Sequence, residues 1–274
     1  MKPIYKIIFC LVTLAFFGSG CDEIPPNIGS CQTERVVLVE EFTGVRCVNC
    51  PTGARRIKQL IEQYSAEKLL AISIHSGYFA PPYPNMEDFR LPIGEQIDAT
   101  LGPITAYPIA MVNRKKFDTE SERAIGLNKW AGYIEREFCL APQVSLNIQN
   151  NYDASTRQLQ TTVQAAGIGN PIFEQAIGMS VYITENKIES MQLDVNGIDS
   201  NYIHEHVLRH SFISTVEGIN INNSHTPFQN NTQSFSFTLP NHWKAEECYV
   251  VGIVHYRGNN GRFDVLQAGM RKVN

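Results

Sequence analysis

Cys47 and Cys50 stand three residues apart in the run Glu41-Phe42-Thr43-Gly44-Val45-Arg46-Cys47-Val48-Asn49-Cys50-Pro51. At i and i+3 two side chains share one face of a helix, so the sulfurs can reach bonding distance. A thiol at a helix N-terminus meets unpaired N–H groups, whose partial positive charge stabilises the thiolate. Arg46, directly before Cys47, adds to that charge. The spacing suits thiol–disulfide exchange, with Cys47 as the exposed attacking thiol and Cys50 as the more buried resolving thiol. Other chemistries fit this stretch less well. Zinc takes four ligands, and no second pair or closely spaced histidine follows. Haem attachment needs a histidine after the second cysteine, where Pro51 stands. A static structural disulfide, or a fold that has kept the pair without its activity, stays open beside the catalytic reading. No cofactor and no metal are expected.

The elements that must position this pair can be read on either side of it. Val36 to Phe42 is a β-branched apolar run, the pattern of a strand buried on both faces. Ile57, Leu60, Ile61 and Tyr64 fall at helical spacing and predict an amphipathic helix over about 50–65. Pro51 sits in its first turn, where a missing N–H costs little. Leu69 to His75 predicts a second buried strand, giving a βαβ unit with parallel strands. Ser76 to Pro92, with Pro81-Pro82-Tyr83-Pro84 and four aromatics, predicts a long ordered loop, followed by a short helix at Gly94–Leu101. Ile109 to Asn113 is a third strand. Thr119-x-x-Glu122 reads as a capping box opening a helix whose apolar face carries Leu127, Trp130, Ala131, Ile134 and Phe138.

From Gln143 the period changes from helical to two. Strands are predicted at 143–149, 157–166, 176–185, 205–213, 233–239, 248–257 and 263–270. Seven short strands with Asn, Gly and Pro turns suggest an antiparallel immunoglobulin-like sandwich over 142–274. His204, His206 and His210 would share one strand face there, for which a hydrogen-bonded structural role outweighs metal binding.

The first twenty residues have the form of a secretory signal: Lys2 and Lys6, an apolar stretch from Ile7 to Phe17, then Gly18-Ser19-Gly20. Cys21 follows and is the expected lipidation site, with ordinary secretory cleavage as the alternative. Residues 21–34 read as a lipid-anchored tether. A net charge of −4 over 274 residues carries no basic stripe and argues against nucleic acid. Export implies a compartment where disulfides persist.

Glu41-Phe42 running into Cys47-x-x-Cys50 resembles the thioredoxin superfamily. The resemblance implies an α/β thioredoxin-like domain over 35–141. It implies that Glu41 is a buried carboxylate able to take the proton of Cys50, and that Pro108 is a cis-proline beside the cysteines, presenting backbone to a substrate strand. Arg46 stands where that superfamily usually has an aromatic, and a fourth core strand has room only as a stub around 115–117. The arrangement that the resemblance implies puts Cys31 and Cys139 at the pole opposite the active site, so Cys31–Cys139 is the candidate staple, with Cys139–Cys248 as its competitor. Arg46, Tyr107 and His75, the last at the carboxyl end of the second strand, are candidate substrate contacts. The signal, Cys21, the Val-Glu-Glu-Phe-Thr-Gly segment, Tyr107-Pro108 through Val112-Asn113-Arg114 and His206-x-Leu208-Arg209 together are similar to a family of Bacteroidetes outer-membrane lipoproteins named after a twenty-eight-kilodalton outer-membrane protein. The expected function is thiol–disulfide exchange on exported proteins at the outer membrane, held there through the lipid anchor. The alternative is a non-catalytic binding or adhesion lipoprotein.

Overall fold

The computed structural model describes residues 33–274, so Cys21, Cys31 and the expected signal segment lie outside the described residues. The chain is predominantly β. It opens with β1 (Val37–Thr43), α1 (Cys50–Tyr64) and β2 (Leu69–His75). Next come α2 (Pro92–Leu101), β3 (Ile109–Val112), β4 (Ala124–Ile125) and α3 (Trp130–Phe138). The remainder is strands: β5 (Val144–Asp153), β6 (Gln158–Gly167), β7 (Ile177–Glu185), β8 (Ile188–Asp194), β9 (Gly197–His204), β10 (Val207–Ser211), β11 (Ile219–Asn222), β12 (Asn230–Thr238), β13 (Cys248–Tyr256) and β14 (Val265–Lys272).

Every residue of β1 and β2 is buried, as the unbroken apolar runs require. The two strands pair in parallel, Val37 opposite Leu69 through Thr43 opposite His75, and β3 pairs antiparallel with the other edge of β1. Alternate residues then serve two layers. Val37, Val39, Leu69 and Ala71 pack on Ile57 and Leu60 of α1 and on Trp130 and Ile134 of α3. Leu38, Phe42, Leu70, Ile72 and Ile74 pack on Ile93, Ile97 and Leu101 of α2. Further along the first face, Glu41, Thr43, Ser73 and His75 carry the same alternation beyond the apolar block, to the pole where α1 begins.

The sheet does not stop at β2. Its order is β14-β13-β7-β10-β2-β1-β3-β4, with β11 also on β7. The junction is Val207 of β10 paired with Ser73 of β2. The sequence places the late strands in a sandwich of their own; in the structure β7, β10, β13 and β14 continue the first sheet. The three-stranded sheet β12-β6-β5 packs over β7, β13 and β14, burying Val144, Leu159, Val163, Val181 and Val250 between the layers. Strands β8 and β9 form a separate hairpin. This arrangement was beyond period-two patterning, which marks strands without naming their neighbours.

Three local expectations are corrected. Thr119 caps no helix: its hydroxyl meets Tyr133 Oη at 2.6 Å, and Glu120 accepts from Lys129 and Tyr133. The helix starts eleven residues later, at Trp130, after a single 3₁₀ turn. The stub strand expected at 115–117 is instead Ala124–Ile125, paired with β3. The histidine row is also broken. His204 ends β9, His206 turns at φ 58°, and His210 lies in β10 stacked on Phe237.

Two ionic clusters tie early and late segments. Arg114 and Glu40 form a fully buried pair at 2.6 Å, and Arg114 also donates to Tyr182 Oη of β7. Arg35 donates to Glu137 and to the carbonyls of Val265 and Leu266 in β14.

Candidate active site around the cysteine pair

Cys47 and Cys50 are joined, with Cα atoms 5.4 Å apart. Cys47 lies in the turn that enters α1, where its carbonyl accepts from the Cys50 N–H at 3.3 Å. Cys50 is the first residue of α1, followed by Pro51 in the position that tolerates it. Both cysteines are buried, at 3% and 2% exposure. The expectation of an exposed Cys47 is therefore corrected; only Arg46, Val48 and Asn49 of this stretch face solvent.

Three residues converge beneath the pair. Glu41 is 1% exposed, and its Oε1 has no hydrogen-bond partner. Burial pushes its carboxyl up to about 8, against a smaller opposing effect from Ser73. Tyr107–Pro108 is a cis bond, as expected for this proline; Gly102–Pro103 is also cis. Gly53 sits between them. A Cβ there would run into Glu41 Oε1 and stand 2.7 Å from Pro108 Cβ. The first turn of α1 thus rests directly on the carboxyl and the proline, and only glycine permits that approach.

Two covers close the site. The first is the loop after β2. Arg46 donates from Nε to Pro81 O at 2.8 Å and from its terminal nitrogen to Pro82 O at 2.7 Å, with Tyr83 beneath the guanidinium at 4.7 Å. The Arg46 N–H bonds Phe79 O. Arg46 is thus committed to holding the loop. Tyr107 is similarly engaged, donating to Ser76 O and packing on Phe79.

The second cover is the β8–β9 hairpin. The Leu193 N–H donates to Val45 O at 2.8 Å. Gln192, 2% exposed, donates from Nε2 to Cys47 O at 3.0 Å and Gly44 O at 3.3 Å. Tyr202 of β9 is pushed up to about 12, by burial first and by the nearby Glu41 charge second. His204 packs on His75, with ring centroids 5.8 Å apart, and both rings contact Phe89. Burial holds His204 down at about 4; burial, then His204 and Arg209, hold His75 well below its ordinary value. His75 is therefore a neutral ring under the hairpin, closed to the substrate contact expected of it.

The hairpin, Gln192 and Gly53 were not singled out from the sequence. Asn196-Gly197 between two β-rich runs is the signal that marks the hairpin. Gly197 takes φ 116° at the turn. At the other pole Cys139 is disulfide-bonded, and its expected partner Cys31 lies outside the described residues. Cys248 is free and buried, which excludes the Cys139–Cys248 alternative. Among the described residues no group of three or more His, Cys, Asp or Glu is placed to hold a metal ion, and no helix is long and apolar enough to cross a membrane.

The family model described as outer membrane protein Omp28 matches residues 95–274, which include the hairpin and exclude the cysteine pair. Among solved structures, HBP35 of Porphyromonas gingivalis is similar at TM-score 0.70 and 20% identity, covering 88% of this chain and 76% of that one, a likeness of fold. A domain of the outer membrane lipoprotein Omp28 from Porphyromonas gingivalis overlaps at TM-score 0.30 and 17% identity, over 48% of this chain and 89% of that one. The sporulation control protein Spo0M of Bacillus subtilis overlaps at 0.31 and 14% identity, over 49% of each chain. No curated protein matches.

Proposed function

The chain belongs to the Omp28 family of outer membrane proteins, and from that premise we propose that it is an envelope lipoprotein whose Cys47–Cys50 pair exchanges disulfides with exported proteins. In this reading residues 35–141 are thioredoxin-like, residues 142–274 are an immunoglobulin-like β part whose strands extend the first sheet, and Cys21 carries the lipid. The observation that supports the exchange chemistry is the convergence of the joined cysteines, the buried Glu41 carboxyl, Gly53 and the cis Pro108 on one helix turn.

The chemistry follows from those groups. A partner thiolate attacks Cys47 Sγ, and the Cys47–Cys50 bond breaks. Cys50 leaves as a thiolate. Glu41, neutral at pH 7 because burial raises it to about 8, gives Cys50 its proton. The partner's second thiolate then attacks its own sulfur of the mixed disulfide and expels Cys47 as a thiolate, which solvent protonates. Two electrons pass from the partner dithiol to the pair, and the partner leaves with a disulfide. Pro108 offers the backbone against which a partner strand would lie.

The test is trapping in cells. Cys50→Ala should accumulate mixed disulfides through Cys47, and Cys47→Ala should not. Identical patterns from the two variants would end the catalytic reading. Burial of both cysteines favours the second reading, a non-catalytic binding lipoprotein with a structural disulfide. Cys47→Ser leaving every envelope phenotype intact would support that reading.

A further inference from the structure

The hairpin reaches the cysteine pair from 145 residues away in sequence. It holds the Gly44–Cys47 turn through backbone and one amide side chain, while at its base Ile188 packs on Val45 and Phe89 and His204 on His75 and Phe89. Leu193 N–H and Gln192 Nε2 together hold three carbonyls of the Gly44–Cys47 turn. Ser190 also meets Met86 of the first cover, at 3.8 Å to the sulfur. Beyond these contacts β8 and β9 hydrogen-bond only to each other as a two-stranded sheet, and their far end is exposed, with Val195 at 79% and Ile198 at 55%. A unit paired with no other strand, held by these hydrogen bonds and by the packing of Ile188 and His204 at its base, has a lower opening cost than the sheet behind it.

We propose that the β8–β9 hairpin is a strap that closes the Cys47–Cys50 disulfide against incoming thiols, and that Gln192 is the positioning residue that latches it. The proposal rests on the exchange reading only for its biological purpose; the closure itself is a property of the disulfide and can be measured with a small thiol. In the closed state the acceptors Val45 O, Gly44 O and Cys47 O are occupied by the chain's own donors. A thiol attacking Cys47 Sγ needs the strap displaced first. Opening then becomes the step that a docking partner controls.

The experiment uses the whole mature chain and dithiothreitol as the reductant. One dithiothreitol thiolate attacks the Cys47–Cys50 bond and its second thiolate releases the mixed disulfide, leaving two protein thiols and oxidised dithiothreitol. Appearance of free Cys47 and Cys50 is followed by alkylation and mass spectrometry. The folded protein should reduce at least about tenfold more slowly than the urea-unfolded chain, and Gln192→Ala should recover about tenfold in rate. Hydrogen exchange should quicken over 45–50 and 188–204, with the melting temperature and the protection of β1 and β2 unchanged. Leu193→Pro, which deletes the second donor, should act in the same direction. Reduction of the folded protein as fast as the unfolded chain overturns the proposal. So does a Gln192→Ala protein that reduces at the original rate. Failure of the trapping experiment above with faster reduction of Gln192→Ala would instead leave the strap standing and remove the catalytic reading.

Discussion

At the scale of single residues, Glu41 sets the pH behaviour of the site. Its folded value of about 8 lies above the ordinary 4.5. Between those values the native chain keeps a proton that the unfolded chain has released, so stability falls as pH rises from 4.5 to 8. Glu41→Gln should flatten that slope and raise stability at pH 7 by on the order of 3 kcal/mol, read by urea unfolding at several pH values. An unchanged slope would mean that the carboxyl is not the group held neutral. Gly53→Ala should be destabilising and should displace Glu41 or Pro108, since its Cβ has no room beside either. The burial of Glu41 and the cis bond at Pro108 were legible because the first's spacing from Cys47 and the second's place before the third strand resemble a known arrangement. Gly53 was not, because nothing in a sequence says which residue the underside of a helix will rest upon. Arg46 was legible as a cation near a thiol, but in the structure it also donates to the Pro81 and Pro82 carbonyls of the covering loop.

Elements answer to longer-range rules. The first strand, the helix after it and the second strand were readable to within a residue, because each buries one continuous apolar pattern locally. The helix expected from Thr119 was not. Its capping pattern lost to Tyr133 and Lys129, which claim Thr119 and Glu120. The hairpin is the most consequential element missed, although its Asn196-Gly197 turn is a recognised signal. Its lower end contains His204, held at about 4 by burial against an ordinary 6.5. The sign is opposite to that of Glu41: the unfolded chain binds the proton first as pH falls, so stability is present above 6.5 and lost on the way to 4. From pH 7 to pH 5 the hairpin should lose on the order of 2 kcal/mol of protection, seen as faster amide exchange over 188–204. His204→Asn should remove that dependence.

At the scale of the molecule, one sheet runs through both halves, and the arginines of two buried ion pairs donate hydrogen bonds across them. Arg114→Ala leaves Glu40 buried without its partner and should cost about 3–5 kcal/mol, whereas Glu40→Met with Arg114→Met should recover most of that loss. Urea unfolding of the two variants decides it. Because β10 sits directly on β2, fluorescence of Trp130 and of Trp243 should report a single coincident transition; two separated transitions would show halves that unfold independently. The sequence change at residue 143 marked where helices end. It carried no information about which strands would meet, because pairing is decided by partners far along the chain.

The distance between Cys47 and Gln192 along the chain also sets an order of events. Synthesis proceeds from the N-terminus, so the two thiols emerge long before residues 188–204 exist to cover them. A disulfide made before those residues pack forms on an open site, within reach of any oxidant present, and the hairpin would then seal it. A mature molecule would then remember the redox conditions of its own assembly, and would revise that record only when something lifts the seal.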